Sequence, residues 1–83
     1  MTPLAAAADA YLKMRRALGF KLYHLTWWLP DFVAFVESRG SSTITAALAV
    51  RWAQQPPGGT PSWWAHRLSA VRGFAKHHQA YDP

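Results

Sequence analysis

Glycine and proline divide this chain into four stretches, and this division limits its fold more than any other feature of the sequence. Gly19 and Gly40 each follow a stretch in which apolar residues recur every three or four positions, and Pro56-Pro57-Gly58-Gly59 follows a third. Such spacing is typical of amphipathic helices, which glycine and proline terminate. No stretch alternates apolar and polar residues strictly enough to predict a strand. We therefore predict an all-α fold, a compact orthogonal bundle of four helices joined by short loops.

The expected helix boundaries follow from caps and stop signals. Thr2, Thr45 and Thr60 each precede a helical stretch and are suitable N-caps. Pro30 makes the start of the second helix ambiguous, because a proline removes one backbone hydrogen bond. That helix begins either near Thr26, or near Leu22 with a bend at Pro30, and we favour the longer helix. The predicted helices run from about Pro3 to Leu18, Leu22 to Arg39, Ala46 to Gln54 and Pro61 to Ala80.

The apolar stripes of these helices predict the core. A chain of 83 residues buries only about 60% of its unfolded surface, so it needs an apolar-rich sequence. Five tryptophans and a hydrophobic fraction of 51% meet that need. The expected core residues are Leu4, Ala8, Tyr11, Leu18, Leu25, Trp28, Phe32, Phe35, Val36, Leu48, Trp52, Trp64, Leu68, Val71, Ala75 and His78.

The net charge of +5 favours polyanionic partners, because nine lysines and arginines face only four acidic residues. Nucleic acid is the first candidate and an anionic membrane surface is the second. The absence of cysteine excludes disulfides and thiolate metal sites. No apolar run is long enough to span a membrane, and the amino terminus lacks the basic segment of a signal peptide. We expect a cytoplasmic protein with no membrane partner.

The fourth helix carries the strongest candidate binding surface. Its predicted exposed residues form two neighbouring strips: Ala65, Ser69, Arg72 and Lys76, then His66, Gly73 and His77. No acidic residue occurs between Thr60 and Gln79. Serine can donate to a phosphate, and arginine or lysine can contact phosphates or guanine edges. This pattern predicts a DNA-binding face, although an ordinary solvated helix face is the alternative.

A second basic group surrounds the turn at Gly19. Arg16, Lys21 and His24 are candidate DNA contacts there. The alternative is structural, because cations near the carboxyl end of a helix stabilise its dipole. Arg15 lies near the buried side and is expected to make a structural hydrogen bond. Trp27 shares a face with polar residues, and either packs beneath the first loop or anchors a partner.

The sequence gives little support for metal binding or catalysis. His77 and His78 point to different faces of a helix, so they cannot chelate one ion. The acidic residues are scattered over different elements, and Pro56-Pro57-Gly58-Gly59-Thr60 is not a phosphate-binding loop. We therefore expect no metal site, no cofactor, no small-molecule substrate and no enzymatic activity in this chain.

Three segments together resemble a known family. They are "YLKMRRALGFKL", "DFVAFVESRG" and "RLSAVRGFAKHH", and they cover most of the chain in order. They resemble the SAM-like N-terminal core-binding domain of tyrosine recombinases and phage integrases. "RLSAVRGFA" is the most specific of them and is similar to the last core-binding helix of Xer-type enzymes.

This resemblance implies a domain that clamps duplex DNA, with its second and fourth helices facing the major groove. By position, Ser69, Arg72 and Lys76 would be contacts on the fourth helix, and Lys21 and His24 contacts at the start of the second. The family's catalytic residues belong to a further domain that is absent here. Residues 1–83 would therefore be one non-catalytic domain, with an interdomain linker beginning near residues 81–83.

The implied partners are double-stranded DNA, a recombinase catalytic domain and further recombinase protomers. The segment "YHLTWWLP" departs from the family, because relatives often carry more basic residues there. The alternative function is a small helical protein-interaction module, in which Trp27 and Trp28 form part of an exposed apolar patch.

Overall fold

A computed structural model describes residues 2–56 and 58–81, with only the backbone described for residues 80 and 81. It confirms the all-α, four-helix prediction: α1 is Pro3–Ala17, α2 is Leu25–Ser38, α3 is Ala46–Ala53 and α4 is Pro61–Tyr81. The described residues contain no strand. None of the described helices is both long and apolar enough to cross a membrane. Residues 82 and 83, in the predicted linker, lie outside the described residues.

The helix starts use the threonine caps that the sequence predicts. The Thr2 hydroxyl accepts a hydrogen bond from the Ala5 amide at 3.1 Å. Thr45 accepts from Leu48 at 3.2 Å, and the Thr60 hydroxyl caps α4 in the same way. Each of these bonds satisfies an amide that has no partner within its helix. The caps thus fix where α1, α3 and α4 begin.

The favoured start of α2 is wrong. The helix begins at Leu25, three positions after Leu22 and close to the shorter alternative. A single turn precedes it, and the hydroxyl of Thr26, the second residue of the helix, donates back to the Leu22 carbonyl oxygen at 2.7 Å. Pro30 lies inside the helix, where it cannot donate to the carbonyl four residues earlier. The periodicity of the apolar residues continues into the turn, which is why it suggested a longer helix.

The core lies where the four helices meet, and most of the predicted residues are in it. Buried side chains come from every helix: Leu4, Ala8, Tyr11, Leu12, Trp28, Leu29, Phe32, Val33, Phe35, Val36, Ala49, Trp52, Ala53, Val71 and Phe74. The prediction for Leu18 is wrong, since it caps α1 and is 66% exposed. Leu25 and Leu48 are half-buried and pack against the core from its edge.

The predicted buried stripe of α4 is displaced. Only Val71 of that stripe is fully buried, while Trp64, Leu68, Ala75 and His78 are half-buried. The most buried positions are instead Arg67, Val71 and Phe74. The predicted stripe left out Arg67 and Phe74, although both side chains lie inside the bundle.

Arg67 joins α4 to the end of α3. Its Nη2 donates to the Trp52 carbonyl oxygen at 3.0 Å, and its Nε donates to the Ala53 carbonyl oxygen at 3.2 Å. Its guanidinium also lies 3.8 Å from the centre of the Trp52 ring. Those carbonyls are at the end of α3, where intrahelical donors run out. Burial lowers the pKa of Arg67 from its usual value, and the negative charge of Asp31 offsets part of that effect.

The same tryptophan connects α3 to α2. Its Nε1 donates to an Asp31 carboxylate oxygen at 2.9 Å, and its ring meets Phe32 edge-on. Three helices therefore meet at Trp52, which is fully buried. This junction fixes the position of α4 in the bundle. The opposite face of α4 is exposed to solvent.

Candidate nucleic-acid interface

The predicted strip on α4 faces away from the core. Ser69, Arg72 and Lys76 are exposed, as is Ala65. The buried residues Arg67 and Phe74 lie on the other side of the same helix, because steps of three and four residues keep each set on one face. The structure thus brings a hydroxyl and two cations together on one exposed face.

These cations have no carboxylate partner within the described residues. The ion pair found there joins Lys13 to Asp9, one turn apart on α1, at 3.0 Å. Asp31 accepts from the Trp52 indole instead, and Glu37 lines a groove between α1 and α2. Arg72 and Lys76 therefore keep their full positive charge available to an external anion.

The residues of the second strip differ in exposure, because part of this strip packs against α1. His66 is exposed, whereas His77 is half-buried with its ring centre 5.0 Å from that of Tyr11. A Cβ added to Gly73 would lie 3.2 Å from the Tyr11 hydroxyl. The glycine at this position therefore leaves room for α1. His66 remains free to reach an external ligand, while His77 is turned towards the bundle.

The basic residues near Gly19 differ in their contacts with the rest of the chain. Arg16 is exposed and donates from Nη2 to the Thr26 hydroxyl at 2.9 Å. Lys21 is exposed. The Arg15 guanidinium lies 3.9 Å from the centre of the Phe20 ring. Its Nε has no hydrogen-bond partner in the described part of the chain, so the hydrogen bond expected for Arg15 is replaced by a cation–π contact.

His24 and His66 connect the two basic groups. Their ring centres are 5.7 Å apart, which places the start of α2 beside the first turns of α4. His24 is exposed and stacks on Trp28 at 4.6 Å. Trp63 completes this cluster, at 5.6 Å from His24 and 5.9 Å from His66. The candidate contacts on α4 and at the start of α2 thus share a continuous edge.

Trp63 was not recognised as part of this edge from the sequence. It lies three residues before His66, and that helical spacing is the signal that could have indicated their contact. Trp28 is buried, so the exposed patch proposed for Trp27 and Trp28 together is wrong. Trp27 alone is 76% exposed, and it does not pack beneath the first loop. Within residues 2–56 and 58–81, no group of three His, Asp or Glu side chains could hold a metal ion.

A protein of similar sequence aligns with all 83 residues of this chain. This relative is the "Putative integrase/recombinase y4rB" of Sinorhizobium fredii (strain NBRC 101917 / NGR234), with 46% identity over 100% of the present chain. The chain is thus similar over its whole length to part of an integrase/recombinase. The resemblance predicted from the three sequence segments is thereby confirmed. No family model and no solved structure matches the chain.

The recombinase relationship extends along the whole of this chain but along little of its relative. The chain spans 26% of the length of y4rB. The exposed strip of α4 and the edge at His24 and His66 are thus surfaces of a recombinase-related helical unit about a quarter as long as that protein.

Proposed function

We propose that this chain binds double-stranded DNA as the core-binding clamp of a tyrosine recombinase, and that it is non-catalytic on its own. The acid-free exposed strip of α4 is the observation that carries the proposal. Ser69, Arg72 and Lys76 lie there without an ion-pair partner in the described residues. Phosphate contacts from such side chains position a protein on DNA and supply much of its affinity.

The edge at the start of α2 extends this surface. His24, Lys21 and Arg16 follow α4 around the contact between His24 and His66. Because Arg16 already donates to Thr26, its remaining guanidinium donors are the ones left for phosphate. Ser69, Arg72 and Lys76 are the principal contacts in this arrangement, with His66 and His24 beside them. His77, which packs on Tyr11, is a peripheral contact.

The relationship to an integrase/recombinase supports the choice of DNA over other polyanions. In that setting, a catalytic domain and further recombinase protomers are the protein partners. The chemistry of strand cleavage would reside in the parts of such a protein that this chain does not span.

A titration of the chain into labelled duplex DNA, followed by fluorescence anisotropy, tests the proposal. The double variant Arg72→Ala/Lys76→Ala should weaken binding. It should also reduce the slope of log affinity against log salt by about 2, since each phosphate contact contributes about 0.9. The measurement needs at least three salt concentrations, because a slope separates lost phosphate contacts from misfolding.

The matched control is Lys13→Ala/Arg39→Ala, which removes the same amount of charge elsewhere. Lys13 is paired with Asp9 on α1, and Arg39 follows the far end of α2, where it lies over the Phe35 ring at 4.6 Å. This control should leave the slope close to that of the unmodified chain. Equal losses in the two double variants would show that net charge alone drives binding, and the proposed surface would be rejected.

A protein-interaction module is the second candidate, and the exposure of Trp27 favours it. An indole that is 76% exposed can anchor a partner. Under this alternative, the chain would show no binding to duplex DNA at low salt. Arg72→Ala/Lys76→Ala would then leave partner binding unchanged, so the same variants distinguish the two functions.

A further inference from the structure

α3 and α4 leave an open groove between them, and no α2 residue is among its lining. It has a volume of about 370 Å³. Ala49 and Val71 form its buried floor, and Leu68 is half-buried in its wall. Val50 stands at its edge with 41% of its surface exposed. The lining residues are Ile44, Thr45, Ala46, Ala49, Val50, Leu68, Val71, Arg72, Ala75, Lys76 and Gln79.

The apolar side chains of this groove are only partly covered. Ile44 and Leu68 pack against the core from outside and remain half-exposed to the groove. Single exposed apolar residues are common on protein surfaces, but a concave and continuous group of them is typical of binding grooves. Covering Val50 and Leu68 would therefore release water from apolar surface that the chain itself leaves open.

Two cations border this apolar surface. Arg72 and Lys76 belong to the groove lining, which contains no carboxylate. A second groove, of about 280 Å³ between α1 and α2, has the opposite character because Asp9 and Glu37 line it. The charge of the α3–α4 groove thus selects for an anionic occupant and against a cationic one.

We propose that the α3–α4 groove binds an amphipathic helix of a partner protein, with apolar residues on one face and carboxylates beside them. A groove between two helices accepts a third helix through apolar anchors spaced three and four residues apart. Those anchors would contact Leu68 and Val50. The flanking carboxylates would pair with Arg72 and Lys76, where arginine can form two parallel hydrogen bonds.

This docking has a regulatory consequence that rests on the proposed function. Arg72 and Lys76 would serve both the helix and the DNA phosphates, so the two ligands would compete. An acidic amphipathic helix would then displace the chain from DNA. The docking itself requires only the groove and its charge, and it can be tested without DNA.

The direct test uses a fluorescent synthetic peptide of about 16 residues, or roughly four helical turns. Leucines occupy one face and glutamates flank them. Binding to the full chain is measured by anisotropy, beside a control peptide in which every glutamate is lysine. The glutamate peptide should bind at least about tenfold more tightly than the lysine peptide. Equal binding of both, or of neither, would overturn the proposal.

Val50→Asn locates the peptide in the groove. Val50 is partly exposed and outside the α4 strip, so this neutral change should leave the fold and the DNA affinity intact. Peptide affinity should fall by about tenfold, because the apolar contact that Val50 offers is replaced by a polar amide. An unchanged peptide affinity would contradict the proposal. Circular dichroism before each titration confirms that the variant is folded.

The remaining outcomes separate this inference from the proposed function. Peptide binding without any DNA binding would reject the DNA clamp and leave the docking site supported. A dimer that Val50→Asn dissociates in analytical ultracentrifugation would show that a second copy occupies the groove, which would overturn the partner proposal. Binding of decanoate, a small apolar acid, in place of the peptide would also overturn it. Displacement of labelled DNA by the glutamate peptide alone would confirm the competition.

Discussion

The two faces of α4 carry arginines in opposite situations. Arg67 is 6% exposed, and its guanidinium is held by two backbone carbonyls and an indole ring. Arg72, five residues later, is exposed and has no carboxylate partner in the described residues. The inward arginine therefore contributes to folding, while the outward arginine is available to a ligand.

This difference shows why a count of basic residues overstates a binding surface. Five of the nine lysines and arginines make contacts within the chain. Arg67 donates to carbonyls and Arg16 to a hydroxyl, Arg15 and Arg39 lie over aromatic rings, and Lys13 pairs with a carboxylate. The cations of the α4 strip have no such engagement. Binding should accordingly depend on which cations are free rather than on the net charge.

The largest expected contrast between the two faces is in stability. Phe74→Ala empties a fully buried site and should lower the free energy of unfolding by about 3–5 kcal/mol. Lys76→Ala, on the exposed face, should change it by no more than about 0.5 kcal/mol. Urea denaturation followed by circular dichroism measures both values. Similar losses in the two variants would show that the outer face of α4 is also part of the packed structure.

Replacing each arginine by methionine sharpens the same contrast. Arg67→Met retains an apolar stem but removes the donor to the Ala53 carbonyl and one of the donors to the Trp52 carbonyl, which also accepts from the Gln55 amide. This loss should cost about 1–3 kcal/mol. Arg72→Met should leave stability nearly unchanged and weaken DNA binding. Urea denaturation should therefore show lower stability for Arg67→Met, and anisotropy should show weaker DNA binding for Arg72→Met. A stable Arg67→Met chain would show that the junction needs neither the hydrogen bonds of the guanidinium nor its stacking on Trp52.

Much of the fold could be predicted because it depends on local signals. The threonine caps and the glycine stops place α1, α3 and α4 within one or two residues of their observed ends. The start of α2 could not be placed, because apolar periodicity does not distinguish a helix from the turn before it. At that boundary, the Thr26 hydroxyl donates to the Leu22 carbonyl oxygen and accepts from Arg16 of α1, and the contact with α1 is not visible in the sequence.

Only the exposed face of α4 could be predicted from the sequence. The exposure of Ser69, Arg72 and Lys76 follows from helical spacing, whatever their ligand is. The roles of Arg67 and Gly73 depend on contacts with α3 and α1, and a single sequence does not show which residues of other helices they meet. Their positions within the helix were predictable, but the carbonyls near Arg67 and the Tyr11 hydroxyl near Gly73 were not.

The smallest expected effect concerns a cation that does have a partner. Asp9→Asn removes the carboxylate that pairs with Lys13 at 3.0 Å. Both side chains are well exposed, and solvent and salt screen such a pair. The free energy of unfolding should therefore fall by at most about 0.5 kcal/mol at low salt, with no loss near 1 M salt.

Asp9→Asn also tests whether DNA binding depends on the position of the free cations or on the net charge of the chain. It raises the net charge by one and releases Lys13 on α1, away from the α4 strip. If cations contact DNA phosphates only when they lie on the exposed strip of α4, the salt slope of DNA binding should stay unchanged. An increase in that slope by about 0.9 would mean that Lys13 had gained a phosphate contact. The binding surface would then have to extend around to α1, and the contrast between the two faces of α4 would no longer define it.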